Sequence, residues 1–234
     1  MTRRRAEEIS SGMTVISVFS GCGLLFSNLI PIDLVGKVFG LLCVLSYSMG
    51  LFFLLRYPDY FRLESKKDLA KQGLDRDYVS MFSPVFVSGV MATLQLVFWG
   101  NVMYWWEPVI AAVMMAVVIG FLFCKFLDYL REKPRELVAA VLLLSFAQAG
   151  IIWQVNTLLD FTEPEYVQVE VLATGKRNSR MGPDTYYFVT ELNGEERWIQ
   201  VSVSEFRELP FRENVTIAIH SGGLGMEYLD LVLT

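Results

Sequence analysis

Histidine is almost missing from this chain: His220 is the only one in 234 residues. Charge-relay triads, HExxH metal sites and multi-histidine ligation therefore have little to draw on. Cysteine is scarce as well. Cys22, Cys43 and Cys124 all lie in apolar stretches and none falls after residue 160, so neither a disulfide framework nor a cysteine zinc site is expected. Acidic residues and arginine are missing from the interiors of the long apolar runs. Proton-coupled transporters and ion pumps normally need such a group at mid-membrane depth. No catalytic constellation is visible, and the inventory calls for no cofactor and no metal. Basic charge is short at the C-terminal end: residues 161–234 hold six Lys and Arg against twelve Asp and Glu, whereas residues 1–160 hold fourteen against thirteen. That acidic balance disfavours a nucleic-acid partner.

What the chain does have is apolar length. It is 53% hydrophobic with a mean hydropathy of +0.41, above the usual soluble composition. The excess is concentrated in five runs, near residues 13–30, 34–55, 84–105, 109–127 and 137–159, each long enough to span a bilayer as a helix. Phe19-Ser20-Gly21-Cys22 has the outline of a lipobox, but the chain stays apolar after Cys22, so an uncleaved first helix is preferred. Gly36 and Gly40 stand at GxxxG spacing, which suits close helix approach. Residues 65–74, in the connection 56–82, read as a short surface helix. Gln95 and Gln148 are the most central polar side chains of the runs. They are expected to face other helices at similar depth, or else to line a transport path.

Five spans put the two termini on opposite faces. The N-terminal segment 1–12, the connection 56–82 and the connection after the fourth run, counted with Lys125 at that run's end, carry 13 Lys and Arg, while the other side has Lys37 alone, at the start of the second run. The positive-inside rule then places the N-terminus in the cytoplasm and the C-terminal segment in the periplasm or outside the cell, as in a multi-pass bacterial inner-membrane protein.

Residues 165–234 change character. They alternate apolar and polar side chains between turn signals. Strands are expected at 166–172, 186–192, 197–203, 215–219 and 226–233. Asn193-Gly194 suits a type I′ hairpin turn, and Ser202 with Glu205 has capping-box spacing before a helical turn at 203–209. Five strands and one helical turn fit a small all-β barrel, OB-like or SH3-like. Lys176, Arg177 and Arg180 form its one basic patch, in a segment (173–185) that reads as a loop; Tyr186, Tyr187 and Trp198 are the alternative recognition surface on its strands. His220 reads as a surface strand residue, and the glycines of 221–225 as a tight turn.

Membrane-length runs followed by a small β-domain resemble the layout of the NfeD-type membrane proteins. The resemblance covers the order of parts and no specific motif, so no residue is carried over from it. The expectation is a membrane-anchored binding or assembly protein, immunity-type proteins included, whose β-domain outside the cytoplasm recognises a protein partner or a second copy. The alternative is a small transporter or channel component working at the level of Gln95 and Gln148.

Overall fold

Lipid offers no hydrogen bonds, so a backbone crossing it must pair its own N–H and C=O groups, and long apolar runs fold as helices. A computed structural model of the chain describes residues 1–27, 33–178, 184–209 and 213–232. It begins with two long helices, α1 (Arg3–Ser27) and α2 (Asp33–Arg56). The next connection carries a two-residue strand β1 (Phe61–Arg62), a short helix α3 (Lys66–Lys71) and a second two-residue strand β2 (Val79–Ser80). Then come α4 (Phe82–Trp99), α5 (Trp106–Phe126), the single-turn α6 (Asp128–Arg131) and α7 (Pro134–Leu158). Of these, α1, α2, α4, α5 and α7 are long and apolar enough to cross a membrane. The chain divides into two compact units, Met1–Leu94 with Trp106–Leu158, and Gln95–Trp105 with Leu159–Thr234.

Polar contacts hold the helices of the first unit together, as expected where apolar surface gains nothing by leaving lipid. The hydroxyl oxygens of Ser17 and Ser46 lie 2.6 Å apart, and Ser17 donates to the Pro84 carbonyl at 3.1 Å. The Thr93 hydroxyl lies 2.7 Å from the Phe146 carbonyl and accepts the Gly150 N–H at 3.0 Å. A Cβ on Gly150 would overlap the Thr93 backbone, so α4 and α7 meet through a glycine. Of the GxxxG pair, Gly40 faces the Gln154 side chain, where a Cβ would collide. The connection between α2 and α4 is ordered rather than a free loop. β1 and β2 pair in parallel, Ser65 caps α3, and Arg62 lies between the rings of Tyr78 and Tyr129 at 4.1 and 3.7 Å.

Two helix boundaries differ from the sequence reading. α1 starts at Arg3 and not near residue 13, because Arg3–Glu7 and Arg4–Glu8 pairs one turn apart carry the helix past its apolar run. α4 ends at Trp99, and the segment up to Trp105, read from hydropathy as the end of the third span, belongs to the second unit.

The second unit contains β3 (Glu165–Glu170), β4 (Ala173–Arg177), β5 (Thr185–Leu192), β6 (Glu195–Val201), α8 (Val203–Glu208), β7 (Asn214–His220) and β8 (Tyr228–Val232). They form two three-stranded antiparallel sheets, β3-β7-β8 and β4-β5-β6, around Val169, Val171, Phe188, Ile199, Ile217 and Leu229. The hairpin at Asn193-Gly194 has both residues at positive φ, 55° and 78°, and the Ser202–Glu205 capping box is formed. β4 is a strand that the sequence reading takes for loop. Its glycine and charges hide it, and pairing with β5 creates it.

Two links join the sheets. The chain runs from β3 to β4 with Val171 N–H donating to Glu213 and Leu172 N–H donating to Val189. On the other side, residues 101–103 lie between β6 and β8. The Asn101 carboxamide pairs with both backbone groups of Gln200, at 2.9 and 2.7 Å, as a neighbouring strand would. Met103 N–H donates to Glu227 at 2.8 Å, and Leu229 N–H donates to Asn101 at 2.9 Å.

Candidate functional site

Strand alternation decides which of the candidate residues share a face. Tyr187 pairs with Gly175 on one side and Gln200 on the other, and Trp198 pairs with Val189. The Tyr187 and Trp198 rings therefore stand on the outer face of β4-β5-β6. They stack at 4.6 Å and 23°, with Trp198 64% exposed. Gly175 makes room for this pair, since a Cβ there would overlap the Tyr187 ring. Arg177, paired with Thr185, falls on the same face and is exposed.

Tyr186 and Lys176 lie on the opposite face. The Tyr186 ring packs on Phe206 of α8 at 5.0 Å, and Lys176 Nζ sits 5.5 Å from the Tyr186 ring. Lys176 also makes a 2.7 Å ion pair with Asp184, and that hydrogen bond to carboxylate raises its pKa above the usual lysine value. Arg180 lies outside the described residues. The basic patch read from the sequence is thus divided. Lys176 is charge-paired on one face, Arg177 is exposed on the other, and both are on a strand.

A second cluster centres on His220. Its Nδ1 lies 3.4 Å from Asp160 and its Nε2 lies 3.4 Å from Asp230, while its ring stacks on Tyr228 at 4.5 Å and 5°. The Asp160 side chain is 3% exposed. Burial alone would raise its pKa, but hydrogen bonds from the Thr162 hydroxyl and N–H and from Tyr228, together with the His220 charge, outweigh burial and lower it below the ordinary 3.8. The sequence reading leaves His220 without partners. Asp160 is separated from it by 60 residues, and only the β7–β8 register, His220 opposite Tyr228, brings the group together. Among the described residues, no cluster of three or more His, Cys, Asp or Glu is placed to hold a metal ion.

The two mid-run glutamines occupy different settings. Gln148 is in α7 and only 1% exposed; its amide and the buried Tyr47 hydroxyl approach each other closely enough to interact, but without the geometry of a good hydrogen bond. Gln95 is half-buried and lies one turn from the end of α4. The sequence reading sets both near mid-span because it extends the third run to residue 105. No family model, curated protein or solved structure matches this chain.

Proposed function

We propose that this is a membrane-anchored binding protein whose β-domain recognises a partner protein through the Tyr187–Trp198 face. The reading rests on one observation: two large aromatic rings stack on an exposed strand surface, over a glycine that keeps the space clear for them. Exposed tryptophan and tyrosine are over-represented among residues that dominate binding energy. Arg177 on the same face is placed to pair with a single carboxylate of the partner at short range. The β-domain in this reading is a small barrel. β3 and β4 form one wall running through both sheets, and residues 101–103 close the gap between β6 and β8. Its place is the non-cytoplasmic face, as the distribution of Lys and Arg suggests.

The test is cross-linking in native membranes, with a photoreactive residue at Glu196, on the same face of β6. The full chain should give a discrete adduct that Trp198→Ala reduces at least tenfold, since a central aromatic anchor is worth about 2 kcal/mol or more. An adduct unchanged by Trp198→Ala and by Tyr187→Ala would remove this face as the recognition surface.

One observation favours transport as a second reading, the amide of Gln148 without a good hydrogen bond inside the helical unit. If Gln148 only packs, Gln148→Leu should hold or raise thermal stability in detergent, because an unsatisfied buried polar group costs about 1–3 kcal/mol. Unchanged abundance and stability with loss of the cellular phenotype would point to transport instead.

A further inference from the structure

A cavity of about 520 Å³ opens in the helical unit between α1, α3 and the start of α4. Its lining mixes charged, hydroxyl and apolar groups. It includes Lys66 and Lys67, the hydroxyl residues Ser11 and Ser83, and the apolar Val15 and Phe82. Neither lysine makes a hydrogen bond or ion pair among the described residues, and the Ser11 and Ser83 hydroxyls are equally unengaged. The carboxylate nearest in sequence, Asp68, is occupied by Ser65 and Lys71. An adjoining cavity of about 390 Å³ shares Lys66 and Ser11 with it and also holds Glu7 and Asp75; there Arg3 is paired with Glu7 and donates to the Asp75 carbonyl. The larger cavity has two lysines and two unengaged hydroxyl residues in its lining and no acid there; the nearest carboxylates, Asp68 beside Lys67 and Glu7 in the adjoining cavity, are each held by another partner.

Its position says what such a set would meet. Ser10 is held against the Ser80 carbonyl at 2.7 Å, and Thr14 bonds back to Ser10, so this wall of α1 is polar until Val15. Val15 is 68% exposed and lies on a helix apolar enough to cross a membrane, as does Phe82. The cavity thus runs from cationic and hydroxyl donors to open apolar surface within one helical turn. That sequence of chemistry matches an amphiphile with an anionic head. A free anion would have no use for the apolar end.

We propose that this cavity binds the phosphate headgroup of an anionic phospholipid, with Lys66 and Lys67 neutralising the phosphate, Ser11 and Ser83 donating hydrogen bonds to it, and the acyl chains lying along Val15 and Phe82. The site is separate from the aromatic face and does not depend on the partner reading. Charge-assisted bonds to phosphate fix the headgroup, while hydroxyls give direction without adding charge.

The experiment is native mass spectrometry of the full chain, purified in a mild detergent with phosphatidylglycerol or phosphatidylcholine added. Phosphatidylglycerol should remain bound and phosphatidylcholine should not. The double variant Lys66→Gln, Lys67→Gln should weaken retention about tenfold or more, since each lysine at an anionic lipid surface contributes about fivefold. Ser11→Asp, which leaves both lysines in place and adds a repelling carboxylate, should also weaken it and guards against misfolding of the double variant. Lys125→Gln with Arg131→Gln, away from the cavity, should leave retention unchanged. Equal loss in that control would mean general surface charge and overturn the site. Displacement of the lipid by millimolar inorganic phosphate would overturn the lipid as its ligand, and undiminished retention in both cavity variants would overturn the proposal altogether.

Discussion

At the scale of single residues, the His220 cluster has the most definite consequence for behaviour. Asp160 sits where α7 has ended and collects hydrogen bonds from Thr162 and Tyr228 beside His220. Its pKa is lowered in the folded protein, so it binds its proton less readily folded than unfolded. The stability it supplies is therefore complete above the ordinary carboxylate value of 3.8 and is lost as pH falls through the lowered value. Asp160→Asn keeps the shape and removes the charge. It should destabilise the β-domain by about 1–3 kcal/mol at pH 7, the usual worth of hydrogen bonds to a charged group. The gap from wild type should close as the pH falls through the lowered Asp160 value, because both side chains are then neutral. Near-ultraviolet circular dichroism melts of the full chain in detergent, at pH 7 and in steps downward from the ordinary carboxylate value, measure both effects. A gap that stays constant across this range would assign the loss to packing and not to charge. Nothing local in the sequence marks this residue. Asp160 reads as the polar end of an apolar run, and its partners are set by strand register.

At the scale of elements, periodicity makes the broad plan legible. Five apolar runs become five long helices, and alternating segments become antiparallel strands. The hairpin at Asn193-Gly194 and the capping box at Ser202 are readable because each is a local rule carried by two or four neighbouring residues. The misreadings have a common cause. β4 lacks alternation, because Gly175 and the charges of Lys176 and Arg177 interrupt it; only its pairing with β5 identifies it. Residues 100–105 look by hydropathy like the end of a membrane run, yet Asn101 and Met103 bond to the backbone of Leu229 and Glu227, far along the chain. The aromatic face is half visible. The ring-bearing residues stand out in the sequence, but Tyr186 turns away from Tyr187 and Trp198, as the two-residue period of a strand demands. The segment 101–103 can be tested directly. Asn101→Ala removes two hydrogen bonds from the edge of β6. It should cost about 1–3 kcal/mol and speed amide hydrogen exchange at Gln200, while Ile217 in the central strand β7 keeps its protection. Protection at Gln200 unaffected by the substitution would mean that the Asn101 carboxamide does not hold the β6 edge.

At the scale of the whole molecule, two independent constraints bear on how the chain crosses a membrane. The first is the distribution of basic residues, concentrated in the N-terminal segment and in the connections after α2 and α5. The second is hydrogen bonding. Residues 101–103 precede α5 and bond to strands that follow α7, so both segments must be on one face. α5 and α7 lie between them, and two crossings return the chain to the face it left; one crossing would not. The bonding therefore means that if α5 crosses a membrane α7 crosses it back, a statement that uses no charge at all. The choice of face rests on charge. Thirteen Lys and Arg on one side of the five runs, against Lys37 on the other, are the ground for proposing that the basic connections lie in the cytoplasm and the β-domain outside it. Four reporter fusions separate these statements. Reporters after Tyr104 and after Thr234 should agree with each other, active only outside the cytoplasm, whereas reporters after Lys71 and after Glu132 should be active only inside it. If the first two disagree, α5 and α7 do not cross as a pair and the closure of the β-domain by residues 101–103 fails with them. If they agree but both report cytoplasm, the pairing stands and the orientation is inverted. The error would then lie with the first two helices, where α1 begins among the charges of Arg3, Arg4 and Arg5 and its apolar stretch is shortest relative to its length.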